Sequence, residues 1–178
     1  MSFRRLETRL DGLVLIEPDV FPDSRGFFLE TYREDGYKDM GIDAEFVQDN
    51  HSRSQRRSIR AFHFQIEPGQ AKLVRAARGT VHDVAIDLRR DSPTYGQHEA
   101  FELSDENHRQ LFVPIGFAHG FCVLSEVVHV EYKCTDFYDA DDEIGLAWND
   151  PDVGIEWPVR DPIVSEKDRK LPLLKDLR

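Results

Sequence analysis

The segment Arg60-Ala61-Phe62-His63-Phe64-Gln65, followed by Gln70-Ala71-Lys72-Leu73-Val74, sets an imidazole and an ammonium among strand-forming residues. Histidine titrates near neutral pH, so it can both take and return a proton. Period-two geometry puts Ala61, His63 and Gln65 on one face of a strand and Arg60, Phe62 and Phe64 on the other. A small residue, an imidazole and an amide sharing a face suit the wall of a pocket. The same pattern also fits a half-buried structural histidine with one nitrogen satisfied.

Further groups with chemical potential lie far along the chain. Pro114-Ile115-Gly116-Phe117-Ala118-His119 has the P-x-G-x-x-H form found in cupin barrels. Metal-binding cupins add an H-x-H pair, but the earlier segment here reads His63-Phe64-Gln65, and three or four nitrogen or oxygen ligands cannot be assembled. A metal site is therefore not expected. Tyr132 shares its strand face with Val128, Val130 and Cys134, which fits a core aromatic as well as a proton donor, and Tyr138 falls on the same face if the strand runs on. Asp83 lies opposite Val84, Ile86 and Leu88 in phase terms and can face a pocket in a supporting role. Lys167 and Asp168, by themselves, read as an ordinary surface pair.

The elements that must position these groups are short strands. Leu13–Ile16, Gly26–Tyr32, Ala71–Val74, Val81–Leu88, Gln110–Pro114, His119–Leu124 and Val127–Lys133 are separated by turn residues such as Pro68-Gly69 and Asp91-Ser92-Pro93, and helical periodicity is weak except near Tyr32–Met40. This predicts an all-β sandwich or barrel, and 178 residues suffice for one domain, residues 1–178. A net charge of -11 argues against nucleic acid as a partner; the basic run Arg53–Arg57 reads as a solvated loop. The opening Met1–Glu7 lacks the apolar core of a signal peptide and no apolar stretch is long enough to span a membrane, so a cytoplasmic protein is expected. Cys122 and Cys134 sit in apolar strand patterns, where free thiols pack as small hydrophobes, and no disulfide is expected.

Taken in order and spacing, Ser24–Phe28, Gln48-Asp49-Asn50, Arg60–Val74, Gly79–Arg89, Pro114–Phe121, Tyr132–Tyr138 and Ser165–Asp168 resemble the dTDP-4-dehydrorhamnose 3,5-epimerase family along nearly the whole chain. The resemblance implies a cupin-type jelly-roll β-barrel or sandwich with a few short peripheral helices. It also implies an isomerase that inverts C3 and C5 of dTDP-4-dehydro-6-deoxy-D-glucose on the way to dTDP-L-rhamnose, without cofactor or metal. By resemblance, His63 is the base, Tyr132 the opposing acid, Asp168 the residue that orients His63, and Lys72 the cation at the developing enolate. Arg25, Glu30, Gln48, Asp49, Asn50, Arg60, Lys72, His119, Glu143 and Lys167 fall on substrate-contact positions, and Tyr138 on the one that stacks against thymine. The resemblance also implies a homodimer whose N-terminal strands carry Arg25 and Glu30 toward the neighbouring site.

The chain departs from the family's frequent Gly-Leu-His-Tyr at Ala61-Phe62-His63-Phe64, and from its tyrosine pair at Phe137-Tyr138. Relatives that invert a single centre keep the same histidine and tyrosine, so the number of inverted centres stays open at this level. So does a different nucleotide carrier. Two other classes compete: a metal-dependent cupin, which requires a bound metal, and a sugar-nucleotide binding module, which has no use for His63, Tyr132 and Asp168 together.

Overall fold

Short apolar runs cut by Gly, Pro, Asp and Ser turns cannot bury themselves as helices, and here they pair as strands. The structure is a computed structural model describing residues 3–65 and 67–177; Met1, Ser2, Ile66 and Arg178 lie outside the described residues. The strands are β1 (Phe3–Leu6), β2 (Val14–Pro18), β3 (Val20–Asp23), β4 (Gly26–Leu29), β5 (Gln48–Gln55), β6 (Ser58–Gln65), β7 (Lys72–Arg78), β8 (Thr80–Asp87), β9 (His98–Ser104), β10 (Gln110–Val113), β11 (Phe117–Val123), β12 (Val127–Cys134), β13 (Glu143–Gly145) and β14 (Ile163–Val164). One sheet runs β1-β2-β10-β7-β12-β5. The other runs β13-β6-β11-β8-β9, with β14 parallel to β6, and β3 and β4 form a separate hairpin. The helical content is peripheral: α1 (Glu34–Asp39) and single 3-10 turns at Asp168–Lys170 and Leu174–Asp176.

The two sheets face each other over one apolar layer. Leu15, Val74, Leu111, Val128 and Val130 of the first sheet meet Val81, Ala85, Leu103, Phe117, Phe121 and Val123 of the second. Both sheets are also covered outside, which is why runs such as Leu13–Ile16 are apolar at every position rather than at alternate ones. Val14, Ile16 and Leu73 pack outward against Tyr37 of α1 and Ile42. Ile59, Phe62, Val84, Ile86 and Cys122 pack outward against Leu146, Val153, Val164 and Trp157 of the C-terminal segment. That segment then carries Asp168 back to the end of the sandwich where β6 lies.

The all-β architecture matches the sequence expectation, with several corrections of detail. The expected strand Gly26–Tyr32 ends at Leu29, and the helical stretch expected over Tyr32–Met40 is α1, Glu34–Asp39. Arg53 is not in a solvated loop: Arg53, Ser54 and Gln55 end strand β5, and only Arg56 and Arg57 form the turn. Both cysteines are buried and free. Among the described residues, no helix is long and apolar enough to cross a membrane.

Candidate active site

β5 and β6 are consecutive in sequence but belong to opposite sheets, and both line a cavity. The cavity has a volume of about 850 Å³, in the range that takes a small-molecule ligand. β5, a strand that contains no apolar side chain, lines it with its alternate residues Gln48, Asn50, Ser52 and Ser54 and, at its end, also with Arg53 and Gln55. β12 contributes Val130 and Tyr132, β7 contributes Lys72, and β11 contributes His119 and Phe121.

β6 breaks the period-two expectation. His119 pairs with His63, but Phe121 pairs with Arg60, so three steps on β6 oppose two on β11. This bulge turns Arg60 to the His63 side, and both residues line the cavity. Strict alternation placed Arg60 on the opposite face. Its guanidinium Nε donates to Ser54 Oγ at 2.8 Å, joining the two walls. Gly120 sits at the bulge, where a Cβ would lie 2.5 Å from the Ala61 Cβ and 2.8 Å from the Arg60 carbonyl oxygen.

His63 lies between two carboxylates. Its Nε2 is 3.0 Å from Asp168 Oδ1, and its Nδ1 is 3.4 Å from Glu143 Oε1. Asp168 is held in turn by its own backbone N–H, which donates to Ser165 Oγ at 3.0 Å. A neutral imidazole that donates from Nε2 to Asp168 carries its lone pair on Nδ1, and that nitrogen is buried without a hydrogen-bond partner among the described residues. Burial pulls the His63 pKa below the ordinary histidine value; Asp168 and Glu143 oppose this, while Lys167 and Lys72 add to it. Asp168 therefore supports the basicity of His63, as expected, yet desolvation outweighs it.

Lys72 donates from Nζ to the His63 carbonyl oxygen at 3.3 Å, and burial lowers its pKa. Burial raises that of Tyr132, with a smaller contribution from Cys134. His119 Nε2 is 3.0 and 2.9 Å from the two oxygens of Asp83, which is fully buried. Asp83 thus stands behind His119 and does not line the cavity itself. Tyr138 follows β12 in a loop rather than extending its face; its hydroxyl is 3.4 Å from Glu143 Oε2, and its backbone N–H donates to Gln48 Oε1 at 3.1 Å. Lys167 pairs with the same Glu143 oxygen.

The structure thus brings together His63, Tyr132, Asp168, Lys72, Gln48, Asn50, Arg60, His119, Tyr138, Glu143 and Lys167 around one cavity. It does not bring Asp49 there: alternation turns its side chain outward, onto Lys133 Nζ at 2.9 Å. Arg25 and Glu30 also lie outside this chain's own cavity, Arg25 pairing with Asp23 and Glu30 with Arg33. Ser52, Ser54, Gln70 and Ser165 line the cavity and were not singled out from the sequence. No pattern signalled the two serines, because every residue from Gln48 to Gln55 is polar. Among the described residues there is no group of three or more His, Cys, Asp or Glu side chains placed to hold a metal.

The fold is a cupin-type jelly roll, and its cavity is lined by a carboxylate-held imidazole, a tyrosine and a buried lysine. Residues 7–176 match the dTDP-4-dehydrorhamnose 3,5-epimerase family, and the chain belongs to that family. The dTDP-4-dehydrorhamnose 3,5-epimerase of Methanothermobacter thermautotrophicus is 50% identical over 178 residues, covering 98% of this chain and 96% of that protein. The crystal structure of dTDP-4-dehydrorhamnose 3,5-epimerase from Bacillus anthracis, with TDP and PPi bound, is similar at a TM-score of 0.95 and 47% identity, covering 97% of this chain and 100% of that one. That of dTDP-6-deoxy-D-glucose-3,5-epimerase from Legionella pneumophila, in complex with dTDP-4-keto-L-rhamnose, is similar at 0.96 and 42%, covering 99% and 95%.

Proposed function

We propose that residues 1–178 form a single epimerase domain that converts dTDP-4-dehydro-6-deoxy-D-glucose to dTDP-4-dehydro-L-rhamnose, inverting C3 and C5. The observation that carries this reading is His63, fixed by Asp168 at 3.0 Å, within the cavity that also holds Tyr132 and Lys72. The C4 ketone acidifies the hydrogens on C3 and C5. His63 Nδ1 removes one, negative charge develops on the C4 oxygen beside the Lys72 ammonium, and the Tyr132 hydroxyl returns a proton to the opposite face. A lowered Lys72 pKa favours hydrogen-bond donation to that oxygen, and a raised Tyr132 pKa keeps the hydroxyl protonated until it is needed. Only protons are exchanged, so the reaction so written needs no cofactor or metal.

On this reading Arg60 and Lys167 attract the diphosphate of a ligand entering an otherwise acidic protein. Gln48, Asn50, His119 and Glu143 offer polar contacts, and Tyr138 stacks on the base. The working unit is a homodimer. Its basis here is the β3–β4 hairpin, which exposes Phe21, Phe27 and Phe28 by 45 to 59% and carries Arg25 at its turn. Arg25 and Glu30 then complete the partner's site rather than their own. A cytoplasmic location belongs to the same proposal and accords with two buried, unpaired cysteines. Deuterium incorporation from solvent at C3 and C5 tests the reading.

A further inference from the structure

Glu143 connects the group proposed to take the proton with the group proposed to hold the diphosphate. Its Oε1 is 3.4 Å from His63 Nδ1, while its Oε2 is paired with the Lys167 ammonium and lies 3.4 Å from the Tyr138 hydroxyl. The two ends of the ion pair differ in freedom. The Glu143 side chain is 15% exposed and sits on β13, whereas the Lys167 side chain is 61% exposed and reaches in on a flexible stem. On the other side of the carboxylate, His63 Nδ1 is buried and has no hydrogen-bond partner among the described residues.

A diphosphate entering this cavity brings more negative charge and more acceptor oxygens than one carboxylate, so it competes well for an exposed ammonium. We propose that Lys167 is a charge switch: when the diphosphate of the substrate draws Lys167 away, the Glu143 carboxylate is released to His63, and the base gains its strength only once the nucleotide portion is seated. This rests on reading the cavity as a nucleotide-sugar site. It makes Glu143 a positioning and tuning residue acting through His63, in addition to any contact with the sugar.

The charged and titratable surroundings of His63 set the direction. Asp168 and Lys167 face it from the C-terminal turn, Glu143 from β13 and Lys72 from β7. His119 is its register partner on β11, while Arg60, Tyr132 and Tyr138 line the same cavity. With Lys167 in place, its positive charge opposes part of what the Glu143 carboxylate does to His63. Its departure removes a nearby cation and unmasks the second carboxylate, and both changes favour the imidazolium that forms when His63 accepts a proton. Binding energy from the remote, unreacting diphosphate is thereby used at the reacting carbon. A ketosugar lacking the diphosphate should lose turnover as well as affinity.

The test is the titration of the His63 ring, followed by NMR of histidine-labelled full-length chain without and with saturating dTDP. A His63→Ala difference spectrum identifies the resonance among the seven histidines. In the parent, dTDP should move the His63 midpoint upward; in Glu143→Gln, which keeps the shape and removes the charge, it should move it clearly less. Without nucleotide, Lys167→Ala should raise the midpoint, and most of that rise should vanish in the Lys167→Ala/Glu143→Gln pair. Equal dTDP shifts in the parent and in Glu143→Gln would assign the effect to diphosphate charge alone and overturn the switch, leaving the epimerase reading intact. Failure of dTDP to perturb any cavity resonance would overturn both.

Discussion

Asp168 Oδ1 lies 3.0 Å from His63 Nε2 although the two residues are 105 positions apart. The contact exists because the C-terminal segment crosses the outer face of the second sheet, pairs β14 with β6, and then enters a turn whose first residue is Asp168. It orients the imidazole and opposes the loss of basicity that burial imposes.

Replacing Asp168 by Asn keeps a hydrogen-bonding side chain and removes the charge. In the parent, burial already places the His63 pKa below its ordinary value, so activity should fall with decreasing pH only through a midpoint below that value. The carboxylate raises this pKa; without it the pKa drops further and the acidic limb moves to lower pH. The plateau should fall as well, by less than the roughly 10²–10⁴-fold a whole acid–base catalyst supplies. A pH–rate profile that coincides with that of the parent would mean Asp168 does not act through His63.

Tyr132→Phe keeps the ring against Val128 and Val130 and deletes only the hydroxyl. Thermal stability should change by no more than about 1 kcal/mol, the scale of one hydrogen bond. Net inversion should fall by roughly two to four orders of magnitude, while deuterium can still enter through His63 with configuration retained. Epimerisation at the parent rate would remove Tyr132 from the mechanism and make Tyr138 or a bound water the next candidate.

Gly120→Ala addresses the bulge. A methyl group 2.5 Å from the Ala61 Cβ must push β6 and β11 apart, at a cost of about 1–3 kcal/mol by the usual scale of overpacking. Because the same strand segment carries Arg60 and His63, turnover should fall in the fraction that remains folded. Unchanged melting together with unchanged turnover would show that the bulge tolerates a side chain and does not set the site.

Mixing two inactive variants examines the shared site. If each cavity uses His63 of one subunit and Arg25 of the partner subunit, His63→Ala and Arg25→Ala protomers should complement each other. Random pairing in a two-fold dimer restores about a quarter of the sites. No recovery after unfolding and remixing would place Arg25 outside the partner's site.

The apolar strands were legible from the sequence because each needs a hydrophobic partner layer. Val81–Leu88 and Val127–Lys133 were expected and appear as β8 and β12 with boundaries shifted by a residue or so. β5 was the hardest to read. Gln48–Gln55 has no apolar residue, since one face lines a polar cavity and the other meets solvent, so hydrophobic alternation gives no signal. The position of Arg60 was beyond a periodicity argument, because a bulge turned it to the side of His63. That of Asp49 was within one once β5 is recognised as a strand, since alternation turns it away from Gln48 and Asn50. Lys167 and Asp168 looked like a surface pair because adjacent charges usually are, and only the returning C-terminal segment brings them to His63 and Glu143. Of the site residues the family resemblance pointed to, all but Arg25, Glu30 and Asp49 line the cavity.

Solvent isotope exchange reads proton removal at C3 and C5, and the part of His63 in it, without an intervening assay. The parent protein and His63→Ala are each incubated with dTDP-4-dehydro-6-deoxy-D-glucose in deuterated water, and deuterium at C3 and C5 is counted by NMR and mass spectrometry. The parent should gain one deuteron at each centre with inverted configuration. His63→Ala should show no exchange at either carbon, with dTDP affinity kept within a few fold, because a base contributes to the transition state far more than to ground-state binding. Exchange at a single carbon in the parent, or retained exchange in His63→Ala, would rule out His63 as the base at both centres.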